Sequence, residues 1–211
     1  MDVFIGIDPS LNSTGLCILK YEGEEKISEY FAIVKPDKLN KKEQIAQDKY
    51  LFFDYWLYDK VDIKVYDNDN HKHEYFKTCN FILALDKILE VIKENVDFDN
   101  DSVYLLQEGI SYGSTLRTKS VFDLAGLNYM IRDRVLHLLK NRFVESHYTI
   151  ATPQNIKKYA SGAGNCKKEV LVDLFKILYP NFDLPKIDDV CDAYFMASYA
   201  RFLKIERDNN E

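Results

Sequence analysis

Residues 3–21, VFIGIDPSLNSTGLCILKY, with KISEYFAIVK at 26–35, decide how this chain of 211 residues folds. VFIGI is a short apolar run stopped by Asp8-Pro9, the pattern of a buried strand that ends in a turn. TGLCILKY (14–21) and KISEYFAIVK are rich in β-branched and aromatic residues, and the turn-like Glu22-Gly23-Glu24 separates them. Three strands with short links predict an antiparallel meander.

Downstream the pattern alternates. KKEQIAQDKYLFFDYWLYDK, within 39–60, reads as helical with many aromatics, VDIKVY (61–66) alternates like a strand, and DNDNHKH is a polar turn. Phe81, Leu85, Ile88, Leu89 and Ile92 recur at helical spacing over 75–95, and DFDND ends that helix. VYLLQE (103–108) is a fourth strand, apolar until its final acid. The longest helical stretch, 119–141, has one apolar face of Val121, Leu124, Ile131, Val135 and Leu138. A second face holds Phe122, Ala125, Tyr129, Leu136 and Leu139. Two apolar faces imply burial on both sides or a partner chain, which makes this helix the candidate homodimer interface against the alternative of a central core helix. HYTIAT (147–152) is a fifth strand stopped by Pro153. Helices follow at 154–160, 167–178 and from Asp188 to about Ile205. The expected class is α/β, a five-stranded mixed sheet (three antiparallel strands, then two more) flanked by helices. It is expected as one domain over 1–205, with an insert at about 36–74 and a frayed tail at 206–211.

Composition excludes several classes. Apolar residues are 46% and charged residues 29%, ordinary globular usage rather than disorder. No run approaches the roughly 18 apolar residues of a membrane span. The start, MDVFIGID, lacks the basic region of a secretory signal. Cys17, Cys79, Cys166 and Cys191 are scattered without a CxxC pair, so free thiols in a reducing cytoplasm are expected rather than a zinc site. The 34 acids and 28 bases give a net charge of −6, which argues against a generic polycation. Yet residues 102–171 carry ten bases, among them Arg117, Lys119, Lys157, Lys158, Lys167 and Lys168, against five acids. Such a block suggests a face for a polyanion, and taken alone it is equally a set of solvated helix faces.

Three acidic positions then converge. The first strand ends in Asp8, the fourth in Glu108, and the last helix opens with Asp188, Asp189 and Asp192; Asp189 and Asp192 share one helical face. Each has an ordinary structural explanation: a turn cap for Asp8, a surface strand end for Glu108, helix-start acids for Asp188 and Asp189. Together, carboxylates gathered at strand ends need a counter-ion, and hard divalent cations take oxygen ligands of this kind. Two such ions can hold the attacking and leaving oxygens of a phosphodiester displacement. GAGNCKK lacks the spacing of a phosphate-binding P-loop. His71 and His73 sit in a solvated loop.

IGIDPSLNSTG (5–15), LLQEG (105–109), GAGNCKKEV (162–170) and DDVCDAYFMA (188–197), in this order, resemble the landmarks of the RuvC-type Holliday junction resolvases of the RNase H-like, or retroviral-integrase-like, superfamily. The likeness covers residues 1–35 and about 75–204, and the long stretch at 36–74 is more like expanded viral or phage relatives. The resemblance implies an RNase H-like fold and a homodimer that cuts branched DNA by two-metal hydrolysis, leaving 5′-phosphate and 3′-hydroxyl ends. It implies Mg²⁺, two per site, with Mn²⁺ as an alternative. Asp8, Glu108, Asp189 and Asp192 match the metal ligands, with Asp188 a rival for the third place. Lys168 matches the lysine after the GxG turn, a catalytic residue, and Lys157 a lysine near the DNA backbone. Tyr112 stands one place from the family's junction-stacking aromatic. Arg117, Lys119, Lys158 and Lys167 complete the expected DNA contacts. The closest alternative is another RNase H-like nuclease, acting on flaps, R-loops or RNA–DNA hybrids. An actin-like kinase would need a longer chain and a second glycine-rich segment, and a non-catalytic junction binder would not need four acids.

Overall fold

In the computed structural model, residues 1–66, 68–109, 119–139 and 147–210 are described. The N-terminal meander is present: β1 (Asp2–Asp8), β2 (Thr14–Glu22) and β3 (Glu25–Pro36) pair antiparallel in sequence. β5 (Ser102–Glu108) joins β1 in parallel, and β6 (Tyr148–Ala151) joins β5. The expected five strands therefore lie in the order β3-β2-β1-β5-β6. A sixth strand, β4 (Phe53–Tyr58), extends the sheet beyond β3, to which it runs parallel.

β4 corrects the count of five strands and the helical reading of 39–60. Only Lys41–Lys49 is helical there (α1), started by a capping box in which Asn40 accepts from the Glu43 backbone and the Glu43 carboxylate accepts from the Asn40 N–H. The helix stops at Tyr50. The aromatic run FDYWLY that follows is better suited to a pleated surface, and the free edge of β3 supplies its partner. VDIKVY is not a strand; Ile63–Tyr66 forms a short 3₁₀ turn. The remaining helices are α2 (Asn70–Asn95), α3 (Lys119–Leu139), α4 (Pro153–Ser161), α5 (Lys168–Leu178) and α6 (Ile187–Asp208), the last running past Ile205. Capped by Asp69, α2 starts five residues before the expected 75, so His71 and His73 are helical and not in a loop.

Strand alternation divides the core into two layers. Val3, Ile5 and Ile7 of β1 and Val103 and Leu105 of β5 face α2 and α3, meeting Ile88, Ile92, Leu127 and Ile131. Phe4 of β1 and Leu106 of β5 face the opposite side, where α4, α5 and α6 pack with Phe31, Phe175 and Phe182. Gly6 belongs to this second side. A Cβ there would lie 2.0 Å from the Ala193 carbonyl oxygen, so the absence of a side chain brings α6 onto the sheet. Asp8 and Glu108 keep the parity of Phe4 and Leu106. Both acids therefore emerge at the C-terminal ends of adjacent parallel strands, on the α6 face.

The two faces of α3 are unequal. Leu127, Ile131, Val135 and Leu139 are buried, whereas Phe122, Tyr129 and Leu136, seven residues apart, are 75%, 58% and 37% exposed.

Candidate active site

The end of β1 faces the end of β5 one step beyond the Ile7–Gln107 pair, so the side chains of Asp8 and Glu108 line the same cleft, close enough for the Glu108 charge to raise the Asp8 pKa. Two buried carboxylates side by side repel when both are charged, and a proton or a cation relieves that repulsion. Burial first, then the charges of Glu108, Asp192 and Asp189, hold the Asp8 carboxyl well above its ordinary range. Burial and then Asp192 push Glu108 up to about 7, against the opposing pull of Lys168. Burial also raises Asp192 and Asp189.

A cleft of about 260 Å³ opens over these groups, lined by Asp8, Glu108, Lys157, Lys168 and Asp192 on an apolar base that includes Ile156 and Met196. The walls are short-range products of the fold. α6 brings Asp192, α4 brings Lys157, and Gly162, left-handed at φ 79°, ends α4 so that the chain reaches α5 within six residues. Lys168 opens α5, and its Nζ lies 3.0 Å from both Asp188 and Asp192. Burial works against its charge, but Asp192 and Asp188 outweigh that and raise its pKa. Lys157 and Lys158 continue past Pro153 into a neighbouring groove with Gln154, Asn155 and Asn165.

The structure thus brings Asp8, Glu108, Asp192, Lys168 and Lys157 together. Asp189 does not line the cleft. It accepts a hydrogen bond from Ser13 and lies close enough to raise the Asp8 pKa. Lys158 is in the adjoining groove, and Lys167 is the exposed N-cap of α5. Lys119 begins α3. Tyr112 and Arg117, and the end of the expected helix at 140–141, lie outside the described residues.

The donor set is carboxylate oxygen throughout, which suits a hard divalent cation. The raised pKa values of Asp8 and Glu108 show the crowding of negative charge that such an ion would neutralise. As placed, no three Asp, Glu, His or Cys side chains among the described residues enclose a single point, and the Lys168 ammonium engages Asp192.

Sequence reasoning overlooked two supports. Behind Glu108, the fully buried Gln107 amide donates to Asn128 Oδ1 at 2.7 Å, and Tyr148 donates to Gln107 Oε1 at 2.8 Å, tying β5 to α3 and β6. A polar residue inside an apolar strand was the available signal. The other is Ser13, within the quoted motif but assigned no role.

No protein-family model matches the chain, and no curated protein does. Solved structures do. A Thermus thermophilus RuvC structure superposes with a TM-score of 0.57 at 13% identity, over 97% of this chain and 96% of that one. T. thermophilus RuvC in complex with Holliday junction substrate superposes with a TM-score of 0.51 at 15% identity, over 96% of each chain.

Proposed function

We propose that this chain, whose fold is that of RuvC, is a metal-dependent endonuclease that resolves four-way or related branched DNA junctions. The observation that carries the reading is the meeting of Asp8, Glu108 and Asp192 in one cleft, bordered by Lys157 and Lys168. The fold adds weight, because its neighbours include a junction-bound RuvC.

Asp8, Glu108 and Asp192, with Asp189 as the fourth ligand, would hold Mg²⁺ or Mn²⁺, two ions when loaded. Bound there, the ions supply a water of lowered pKa and offset charge on the reacting phosphate. The chain's own residues do the rest. Asp8 and Glu108, both raised in pKa by burial, would ionise as the site charges. Lys168 would have to yield Asp192 to an incoming ion, and its ammonium is then placed to bind a phosphate oxygen. Lys157 and Lys158 lead the flanking backbone along the groove, and Lys167 extends that path. Tyr112, Arg117 and Lys119 are further proposed DNA contacts. Nicks with 5′-phosphate and 3′-hydroxyl ends are the expected products. Paired nicks require two sites, and we assign the second to a homodimer partner held on the exposed stripe of α3.

The test is cleavage of a mobile four-way junction with and without Mg²⁺. Wild type should give symmetric nicked duplexes only with the metal, and Glu108→Gln should bind the junction but lose cleavage by about 10²-fold or more, the scale of losing one preorganised charge-stabilising group. Cleavage confined to flaps, R-loops or RNA–DNA hybrids would replace this substrate with the alternative. Full activity of Glu108→Gln would remove the site.

A further inference from the structure

The turn from β1 into β2 carries a polar side chain turned inward. Ser13 is only 4% exposed. Its hydroxyl donates to Asp189 Oδ2, and Lys186 Nζ donates to the same Ser13 Oγ at 3.1 Å. A serine hydroxyl has one proton, and an ammonium cannot accept it. The direction is therefore fixed: Lys186 to Ser13 to Asp189. Lys186 is the N-cap of α6 in the left-handed region, at φ 60° and ψ 40°, a conformation uncommon outside glycine. The Asp189 backbone packs closely on the start of β2, since a Cβ on Gly15 would lie 2.1 Å from the Asp189 carbonyl oxygen. Asp188, one residue earlier, is 42% exposed at its side chain and pairs with Lys168.

We infer that Ser13, supported by Lys186, is a positioning residue that fixes the Asp189 carboxylate as a metal ligand and selects it over Asp188. The inference rests on the nuclease reading above. Ser13 engages one carboxylate oxygen of Asp189, and the other would be available to a divalent cation. Hydrogen-bond partners of ligating carboxylates orient them, and losing one typically weakens metal affinity by about 10–100-fold.

The test measures Mn²⁺ binding to the full chain without DNA, from the electron paramagnetic resonance signal of the free ion. Melting of the metal-free variants establishes that each is folded. Ser13→Ala should weaken binding by about 10–100-fold, and Ser13→Thr, which keeps the hydroxyl, should stay near wild type. Ser13→Ala should add nothing in an Asp189→Asn background. If Ser13→Ala does not fold, Lys186→Met interrupts the same chain of bonds and should weaken Mn²⁺ binding in the same direction. Wild-type affinity in a folded Ser13→Ala or, in its stead, Lys186→Met, or an additive loss with Asp189→Asn, overturns the positioning role and leaves the nuclease reading standing. Failure of wild type to bind Mn²⁺, or undiminished binding by Asp8→Asn, overturns the reading beneath it.

Discussion

Asp8 and Glu108 are two buried carboxylates placed where both are charged only with help. That has a consequence for the metal-free protein. The Glu108 pKa, pushed up to about 7 in the folded chain, lies near 4.3 in an unfolded one. Between these values the folded state holds more protons than the unfolded state. Stability contributed by this group is therefore present at low pH and falls as pH rises through about 7. The raised pKa of Asp8 acts with the same sign. Metal-free wild type should melt at a higher temperature at pH 5 than at pH 8, and Glu108→Gln should flatten that difference. Parallel melting curves for the two proteins across this range would show that Glu108 is not held protonated. These acids were legible in the sequence because each terminates an apolar strand or opens a helix, and strand parity then fixes their face. Ser13 was not, because the carboxylate it orients is 176 residues away.

Among the elements, α3 and β4 show where pattern reading succeeds and where it stops. The double apolar pattern of α3 was visible, and the structure divides it into a buried face and an exposed stripe of Phe122, Tyr129 and Leu136. Arg132 lies over the Tyr129 ring at 4.9 Å, so the stripe carries a cation beside its central aromatic. If this stripe is the dimer seam, Tyr129→Glu should shift the protein to a monomer in sedimentation velocity. It should change the unfolding free energy by no more than about 0.5 kcal/mol, as expected of an exposed site. An unchanged sedimentation coefficient for a wild-type dimer would move the seam elsewhere. β4 was hidden for a different reason. An aromatic run such as FDYWLY satisfies helix and strand alike until a partner edge is known, and that edge belongs to β3, whose hydrogen bonds no local window contains.

Across the whole molecule, a negative chain gathers lysines beside its acidic cleft. Lys157, Lys158 and Lys168 gather on α4 and α5 beside the cleft, while the net charge remains −6. The block of bases at 102–171 was visible as an asymmetry of sequence. Its focus on one cleft was not, since that depends on α4 and α5 packing against α6. If these lysines meet phosphate, junction binding in the absence of divalent metal should fall steeply with salt. Lys157→Ala and Lys158→Ala should each reduce the slope of log affinity against log salt by about 1. Slopes equal to wild type would exclude them from the backbone path.

The strands that border the sheet bring a last consequence. β4 has six residues and β6 four, and together they flank the longer β1, β2, β3 and β5. A rim this short leaves few unpaired backbone groups for a second sheet to zip onto, so the extended meander at the centre is shielded from amyloid-like stacking.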